Sequence, residues 1–342
     1  MSQDPELTGL VDEFFRETFG PDVITVVERD GPSAALWRAT EKLGLPLIGI
    51  AEENGGSGGT LGDLLTMLRG AGRWAVPLPL AETSLGAWLL ASCGAQVPAG
   101  PLTVIPDASG LHLDGDRLTG GARAVSWLRG AARVVAVVDG CVVAVDPAAL
   151  GVTPGADLAG MPSDLISASG VPAQTYAANV TAGEVFLRGA LLRSAQIAGA
   201  VTGAYEVTRT YIKERVQFGK PIAGFQSVQM HLVELAQAAT LTTLCVERAA
   251  RAAATGTASL EIVATKSVAN RHAGLAARAA HQAHGAIGMT REYRLQHLTR
   301  RLHTWRGEFG DETSLNLRLG AAIAGSGGIM AAATSVASTV GV

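Results

Sequence analysis

Hydrophobic positions recur every three to four residues through the first hundred positions. Leu7, Leu10, Val11, Phe14 and Phe15 share one helical stripe, and Ala34, Ala35, Leu36, Trp37, Ala39 and Leu43 repeat it. A glycine-rich break runs from Gly44 to Gly59, and the spacing predicts a further helix over Thr60 to Gly70, ahead of Pro77-Leu78-Pro79. The period then changes. Leu102–Ile105, Leu111–Leu113, Ala132–Val138 and Val142–Val145 are short β-rich runs divided by Gly, Asp and Pro. They predict a small β-barrel-like domain. Helical spacing returns near Gly189. Ala190–Glu214, Phe225–Ala254, Leu260–Gly285 and Ser314 to the end predict four long helices with short joints, which is a bundle. The expected organisation is an α+β chain with a helical segment over 1–100, a β segment over 101–186 and a helical bundle over 187–342.

Composition narrows the class. At 48% hydrophobic and 17% charged, the chain can bury a sizeable core and is not a disordered segment. The net charge of −3 and the lack of a basic block give nucleic-acid binding no electrostatic support. Cys93, Cys141 and Cys245 are widely spaced and form no CxxC, so they read as buried thiols in a reducing cytoplasm. The acidic start MSQDPELTGL has no basic region ahead of an apolar run, so no signal peptide is expected. The apolar run Leu319 to Val342 is broken at Gly325-Ser326-Gly327-Gly328 and reads as a close-packed helix end, not a membrane span.

The densest chemistry lies in Arg215 to Ala236, RVQFGKPIAGFQSVQMHLVELA. Arg215 offers a permanent cation with a planar fork suited to phosphate oxygens. Gly219 permits a turn that a side chain would obstruct, and Pro221 leads a short connector from Lys220 to Gly224. The helix beginning near Phe225 then presents free backbone N–H groups, which favour a nearby anion.

This stretch resembles the signature of the acyl-CoA dehydrogenase family, flavoenzymes that desaturate acyl-CoA thioesters. The resemblance implies an N-terminal helical domain, a small central β-barrel domain and a C-terminal four-helix bundle. It implies that Arg215, Gln217 and Phe218 hold the pyrophosphate and adenosine of FAD from a neighbouring subunit, with Gly219 and Gln226 in the same motif. The run Ala280 to Gly288 resembles the family's QxxGGxG turn, where backbone meets the ADP portion of that flavin. Gln282, Gly285 and Gly288 match, and Ala286 replaces the second glycine of the pair. Gly285 also suits a plain helix C-cap. The break from Gly44 to Gly59 resembles the family's first-domain connector, and Leu118–Trp127 its central hairpin, with Ala122 where a lysine usually stands. The flavin-ring loop TEPxAGSD has no counterpart, since Gly94 to Pro101 leads straight into a strand.

Desaturation needs a carboxylate that removes the α-proton. The family's EGTxxI turn corresponds to Gly307–Leu315. Placing Thr313 on the motif's Thr puts Asp311 on the base and Glu312 on the Gly. Asp311 is also a natural helix cap. The basic run Arg291, Arg294, Arg300, Arg301 and Arg306 reads as a solvated face. Three readings stay open: a catalytic acyl-CoA dehydrogenase with its own FAD, a short actinobacterial-type subunit sharing FAD within a heteromeric steroid or bulky acyl-CoA dehydrogenase, and a flavin-free structural partner. The resemblance implies acyl-CoA as substrate, a homo- or hetero-tetramer, and an electron-transferring flavoprotein as acceptor, in the cytoplasm, with no nucleic-acid or membrane partner.

Overall fold

The structure is a computed structural model that describes residues 5–256, 258–328 and 331. In chain order the helices are α1 (Pro5–Thr18), α2 (Pro21–Asp30), α3 (Ala34–Lys42), α4 (Leu61–Arg73) and α5 (Leu80–Ser92). The strands β1 (Leu102–Val104), β2 (Leu111–Asp114), β3 (Arg117–Ser126), β4 (Arg133–Val138), β5 (Cys141–Val145), β6 (Gly151–Thr153) and β7 (Ser163–Ala177) follow. The chain continues with α6 (Ala182–Glu214), a two-residue pair β8 (Val216–Gln217) and β9 (Lys220–Pro221), then α7 (Gln226–Ala253), α8 (Ser259–His284), α9 (Leu295–Trp305) and α10 (Glu312–Gly325). No helix among the described residues is long and apolar enough to cross a membrane.

The chain divides into two compact units. One comprises 26–64 and 77–189, the other 1–25, 65–76 and 190–341. The first hundred residues are shared between the two units.

In the unit that holds the sheet, β1 pairs with β4 in parallel and the remaining pairs are antiparallel, in the order β1-β4-β5-β7-β3-β2, with β6 added to β7. The long strand β7 carries the architecture. Its first part pairs with β3 from Ser163 to Pro172, and its second part pairs with β5 from Ala173 to Ala177. One apolar core gathers side chains from both halves, including Leu118, Val125, Val134, Ala136, Val143 and Ile166. The two outer strands, β1 and β2, do not pair with each other among the described residues, so the expected barrel-like domain is a seven-stranded sheet bent over a shared core. Along β7 burial alternates: Asp164, Ile166 and Ala168 point in, while Leu165, Ser167 and Ser169 point out.

In the helical unit, glycines set the helix spacing. A Cβ on Gly199 of α6 would fall on the Arg69 carbonyl of α4, and one on Gly203 would sit 2.5 Å from the Arg73 carbonyl. No larger residue fits where these backbones cross. Arg73 then joins Asp12 of α1 at 2.8 Å and Glu206 of α6 at 2.7 Å.

The α6 helix begins at Ala182, before the expected bundle boundary. There Thr181 Oγ1 accepts from the Glu184 N–H at 3.2 Å, while Glu184 Oε2 accepts from the Thr181 N–H at 2.7 Å, a reciprocal capping box. The basic run divides: Arg291 stays exposed, Arg294 and Arg306 flank α9, and Arg300 and Arg301 lie within it. The apolar stripe of α9, Leu295, Leu298, Leu302 and Trp305, is buried and carries Arg301 inside with it, 2% exposed. The four predicted long helices are α6, α7, α8 and α10, with the shorter α9 between the last two. The last of them ends at Gly325, and most of the predicted helical run beyond 328 lies outside the described residues.

Candidate functional site

The α6 helix ends at Glu214, and the next ten residues fold as a hairpin, not as an extended link. Val216 pairs with Pro221 and Gln217 with Lys220, leaving Phe218 and Gly219 as the corners. Both corners have positive φ, 52° and 78°, the pattern of a tight two-residue hairpin turn. The Ile222 N–H donates to the Arg215 carbonyl at 2.8 Å and closes the base of the hairpin. Phe218 stands 91% exposed, its ring edge-on to Phe225 at 6.0 Å. Lys220 Nζ lies over the Phe225 ring at 4.6 Å. Arg215, Gln217, Gly219 and Gln226 are all exposed. The α7 helix opens at Gln226 behind Phe225, which supplies no side-chain cap bond, so the first N–H groups of α7 carry no protein acceptor of that kind.

The second predicted segment lies beside the first. Gln282 is exposed near the end of α8, and Gly285 follows with φ 65° and ψ −145°, a conformation that suits glycine, with open space where a Cβ would be. The two segments are joined by aromatic packing. Tyr211, four residues before Arg215, stacks on His284 with ring centroids 4.4 Å apart and planes within 16°. Its hydroxyl donates to the His284 carbonyl at 3.3 Å. Arg215, Gln217, Phe218, Gly219, Gln226, Gln282 and Gly285 therefore belong to one end of the bundle.

Asp311 and Thr313 lie elsewhere. The turn between α9 and α10 is held against the middle of α8 by Lys266 and Asn270. Lys266 is fully buried, and its Nζ donates to Asn270 Oδ1 at 2.5 Å, to the Trp305 carbonyl at 3.1 Å and to the Gly310 carbonyl at 3.3 Å. Asn270 Nδ2 donates to the same Gly310 carbonyl at 3.0 Å. Asn270 precedes Gln282 by about 18 Å along the α8 axis at the rise of an α-helix. Asp311 and Thr313 are thus separated from the Gln282 end.

Charge in that turn is paired with care. Glu308 meets Arg193 at 2.5 Å, and Glu312 meets Arg306. Asp311 holds no ion pair among the described residues. It is exposed and caps α10, with Oδ1 accepting from the Ser314 N–H at 2.9 Å. That backbone bond, followed by a weaker one at Thr313, draws its carboxyl below the usual range. Burial lowers the Lys266 amine to about 7, against opposing attraction from Glu308.

In the sheet-bearing unit a cleft of about 760 Å³ is lined by Trp37, Trp127, Arg129 and neighbouring prolines, and it holds none of the predicted site residues.

Residues 180–323 match the family model described as acyl-CoA dehydrogenase, C-terminal domain. The acyl-CoA dehydrogenase IpdE2 of Mycobacterium tuberculosis is 29% identical over 289 residues, covering 80% of this chain and 81% of that protein. The acyl-CoA dehydrogenase FadE28 of the same organism is 31% identical over 241 residues, covering 63% of this chain and 69% of its own length. The chain belongs to the acyl-CoA dehydrogenase family. As a member it is an oxidoreductase of that family. Among solved structures, the Tcur3481–Tcur3483 steroid ACAD superposes with a TM-score of 0.87 at 25% identity, covering 94% of this chain and 98% of that chain. Within the family frame, Tyr211, His284, Tyr293, Lys266 and Asn270 are the residues that motif matching leaves out. Two of them stand close to the matched positions: Tyr211 lies four residues before Arg215, and His284 lies inside the Ala280–Gly288 run.

Proposed function

We propose that this chain takes part in the FAD-dependent α,β-dehydrogenation of an acyl-CoA thioester as one subunit of an assembly that shares FAD across its interface. The observation that carries this reading is the exposed hairpin at the end of the bundle. Its donor set fits the ADP end of the cofactor: a guanidinium without a partner among the described residues, an amide at Gln217, an aromatic face at Phe218 and uncapped N–H groups at the start of α7. Gly285 offers open backbone on the neighbouring turn. Arg215 and the α7 N-terminus would hold the diphosphate, Phe218 would cover the adenine, and Gln217, Gly219, Gln226 and Gln282 would fix its register. FAD, when bound, supplies the acceptor for the hydride that leaves the β-carbon. Thr313 is the residue proposed for the opposite end of the cofactor.

The α-proton needs a carboxylate. Asp311 is the carboxylate of its turn that holds no ion pair among the described residues; its Ser314 cap bond falls on Oδ1, and Oδ2 is the oxygen proposed to act as base. A second reading places the base on a sister subunit. It is favoured by the depressed Asp311 carboxyl, which is less basic than a free aspartate. The two designations joined in the name of the Tcur3481–Tcur3483 structure agree with an assembly of unlike subunits. Electrons would pass onward to an electron-transferring flavoprotein, and the chain would act in the cytoplasm.

The test is flavin content. The chain should be purified alone and after co-expression with a dehydrogenase encoded beside it, and the ratio of bound flavin to chain measured. Arg215→Ala should lower that ratio at least tenfold without moving the melting temperature, since the side chain is exposed. An unchanged ratio refutes the clasp. A colourless wild-type assembly supports the flavin-free structural partner instead.

A further inference from the structure

Three aromatic rings at the end of the bundle remain without a role. Tyr211 of α6 stacks on His284 of α8 at 4.4 Å, and Tyr293, between α8 and α9, closes on both, at 5.8 Å from Tyr211 and 5.2 Å from His284. His284 is buried, and its Nδ1–H donates to the Ala280 carbonyl at 2.8 Å. Its Nε2 is buried without a partner. An imidazole in that state packs as a neutral ring, and burial accordingly draws its pKa down. The turn folds back on the ring because residue 288 is glycine: a Cβ there would lie 2.9 Å from the His284 Cβ and 3.3 Å from His281 Nδ1. His281 Nε2 in turn meets Thr299 Oγ1 of α9 at 3.0 Å.

The chain positions on either side of this stack matter. Tyr211 lies one helical turn before Arg215, and the Arg215 N–H donates to the Tyr211 carbonyl at 2.9 Å. His284 sits between Gln282 and Gly285. The aromatic stack is therefore the link between the hairpin and the glycine turn, which approach from helices distant in sequence. We infer that Tyr211, His284 and Tyr293 are positioning residues that lock the Arg215 hairpin to the Gln282–Gly285 turn, so that both halves of the nucleotide clasp keep one spacing. The role rests on the clasp reading for its purpose, but the mechanical link is tested without cofactor.

Amide hydrogen exchange, read by mass spectrometry on the full chain as purified, decides it. His284→Ala should speed exchange in residues 215–222 as well as 282–290, each about tenfold, the ratio that one aromatic pair of this kind supplies. The ring contact and hydrogen bond that tie His284 to the helix bearing the hairpin are those of Tyr211, so a purely local role would leave 215–222 unchanged. Tyr211→Leu tests the link from the other side and should speed exchange in 282–290. It also keeps the question open if His284→Ala fails to fold. His284→Phe restores a flat ring and should return both segments to wild-type rates. Faster exchange confined to the substituted segment overturns the inference, as does His284→Phe behaving like His284→Ala. If the segments prove linked while Arg215→Ala leaves flavin content unchanged, the link stands and the clasp falls.

Discussion

Lys266 is the most exacting test of the packing behind the Asp311 turn. Its side chain is fully buried, and burial brings its amine from 10.5 to about 7. Glu308 and Asp311 draw the value up, while Arg193 and Arg306 push it further down. Consider Lys266→Met, which keeps the length and removes the titration. Between pH 7 and pH 9 the wild-type unfolded chain keeps its proton on Lys266, while the folded chain gives it up. The unfolded state binds more protons over that window, so wild-type stability rises with pH by about 1.4 kcal/mol per unit from this group. The variant lacks that rise. The stability gap between wild type and Lys266→Met should therefore widen by roughly 2–3 kcal/mol from pH 7 to pH 9, because other groups titrate alike in both. The variant also loses the hydrogen bonds of the amine, at most two once it is neutral, each worth about 1 kcal/mol net. Asn270 still satisfies the Gly310 carbonyl, which limits that loss. Urea melts of both proteins at the two pH values, with equal slopes, measure the gap. A gap that stays constant, or narrows toward pH 9, would show that the amine is charged throughout and that the burial argument is wrong.

Three further outcomes follow from the geometry. Gly199→Ala places a Cβ on the Arg69 carbonyl where α4 crosses α6, so thermal melts should show a loss of about 2–3 kcal/mol; Gly320→Ala, on an exposed stretch of α10 with open space around it, should instead raise stability by about 0.5–1 kcal/mol. Asp311→Asn keeps the α10 cap and removes the charge, so the fold should be unchanged while turnover of the flavin-loaded assembly drops at least ~100-fold; retained turnover moves the base to a partner subunit.

Where sequence periodicity is long and its ends are marked, the sequence was enough. The α7 and α8 helices lie within a residue or two of the predicted spans, and α4 starts where Thr60 and Asp63 exchange cap bonds. The misses have separate causes. The β7 strand carries three Ser and three Ala, residues with little β preference, and it is held in place by three neighbouring strands. The α9 stripe of Leu295, Leu298, Leu302 and Trp305 is visible in the sequence but was masked by five arginines, which drew attention to charge instead of period. Arg294 shows how such a residue is accommodated: its guanidinium lies over the Trp74 ring at 4.1 Å and donates to the Arg73 carbonyl. At the site, the motif residues were legible one by one. What joins them was not, because Tyr211 meets His284 across 73 positions, and Lys266 sits among Thr, Ser and Val neighbours that give no hint of a buried amine.

The hairpin corner carries two costs that the chain itself does not offset. A bulky residue at positive φ is an outlier, at a cost on the order of 1 kcal/mol, and an aromatic ring left in water forgoes the burial that makes such rings favourable. An Asn-Gly corner would make the same turn with neither cost. Phe218 touches only the edge of Phe225, and the guanidinium of Arg215 has no partner among the described residues. Yet the base of this corner is fixed with unusual thoroughness: the Ile222 to Arg215 hydrogen bond closes it, and the Tyr211–His284 stack anchors the helix it springs from. A segment held rigidly while its tip is exposed and strained is built to meet something outside the chain. On the proposed function, that cation and ring would receive a diphosphate beside a purine, and the subunit that brings the nucleotide would relieve the exposure that this chain leaves open.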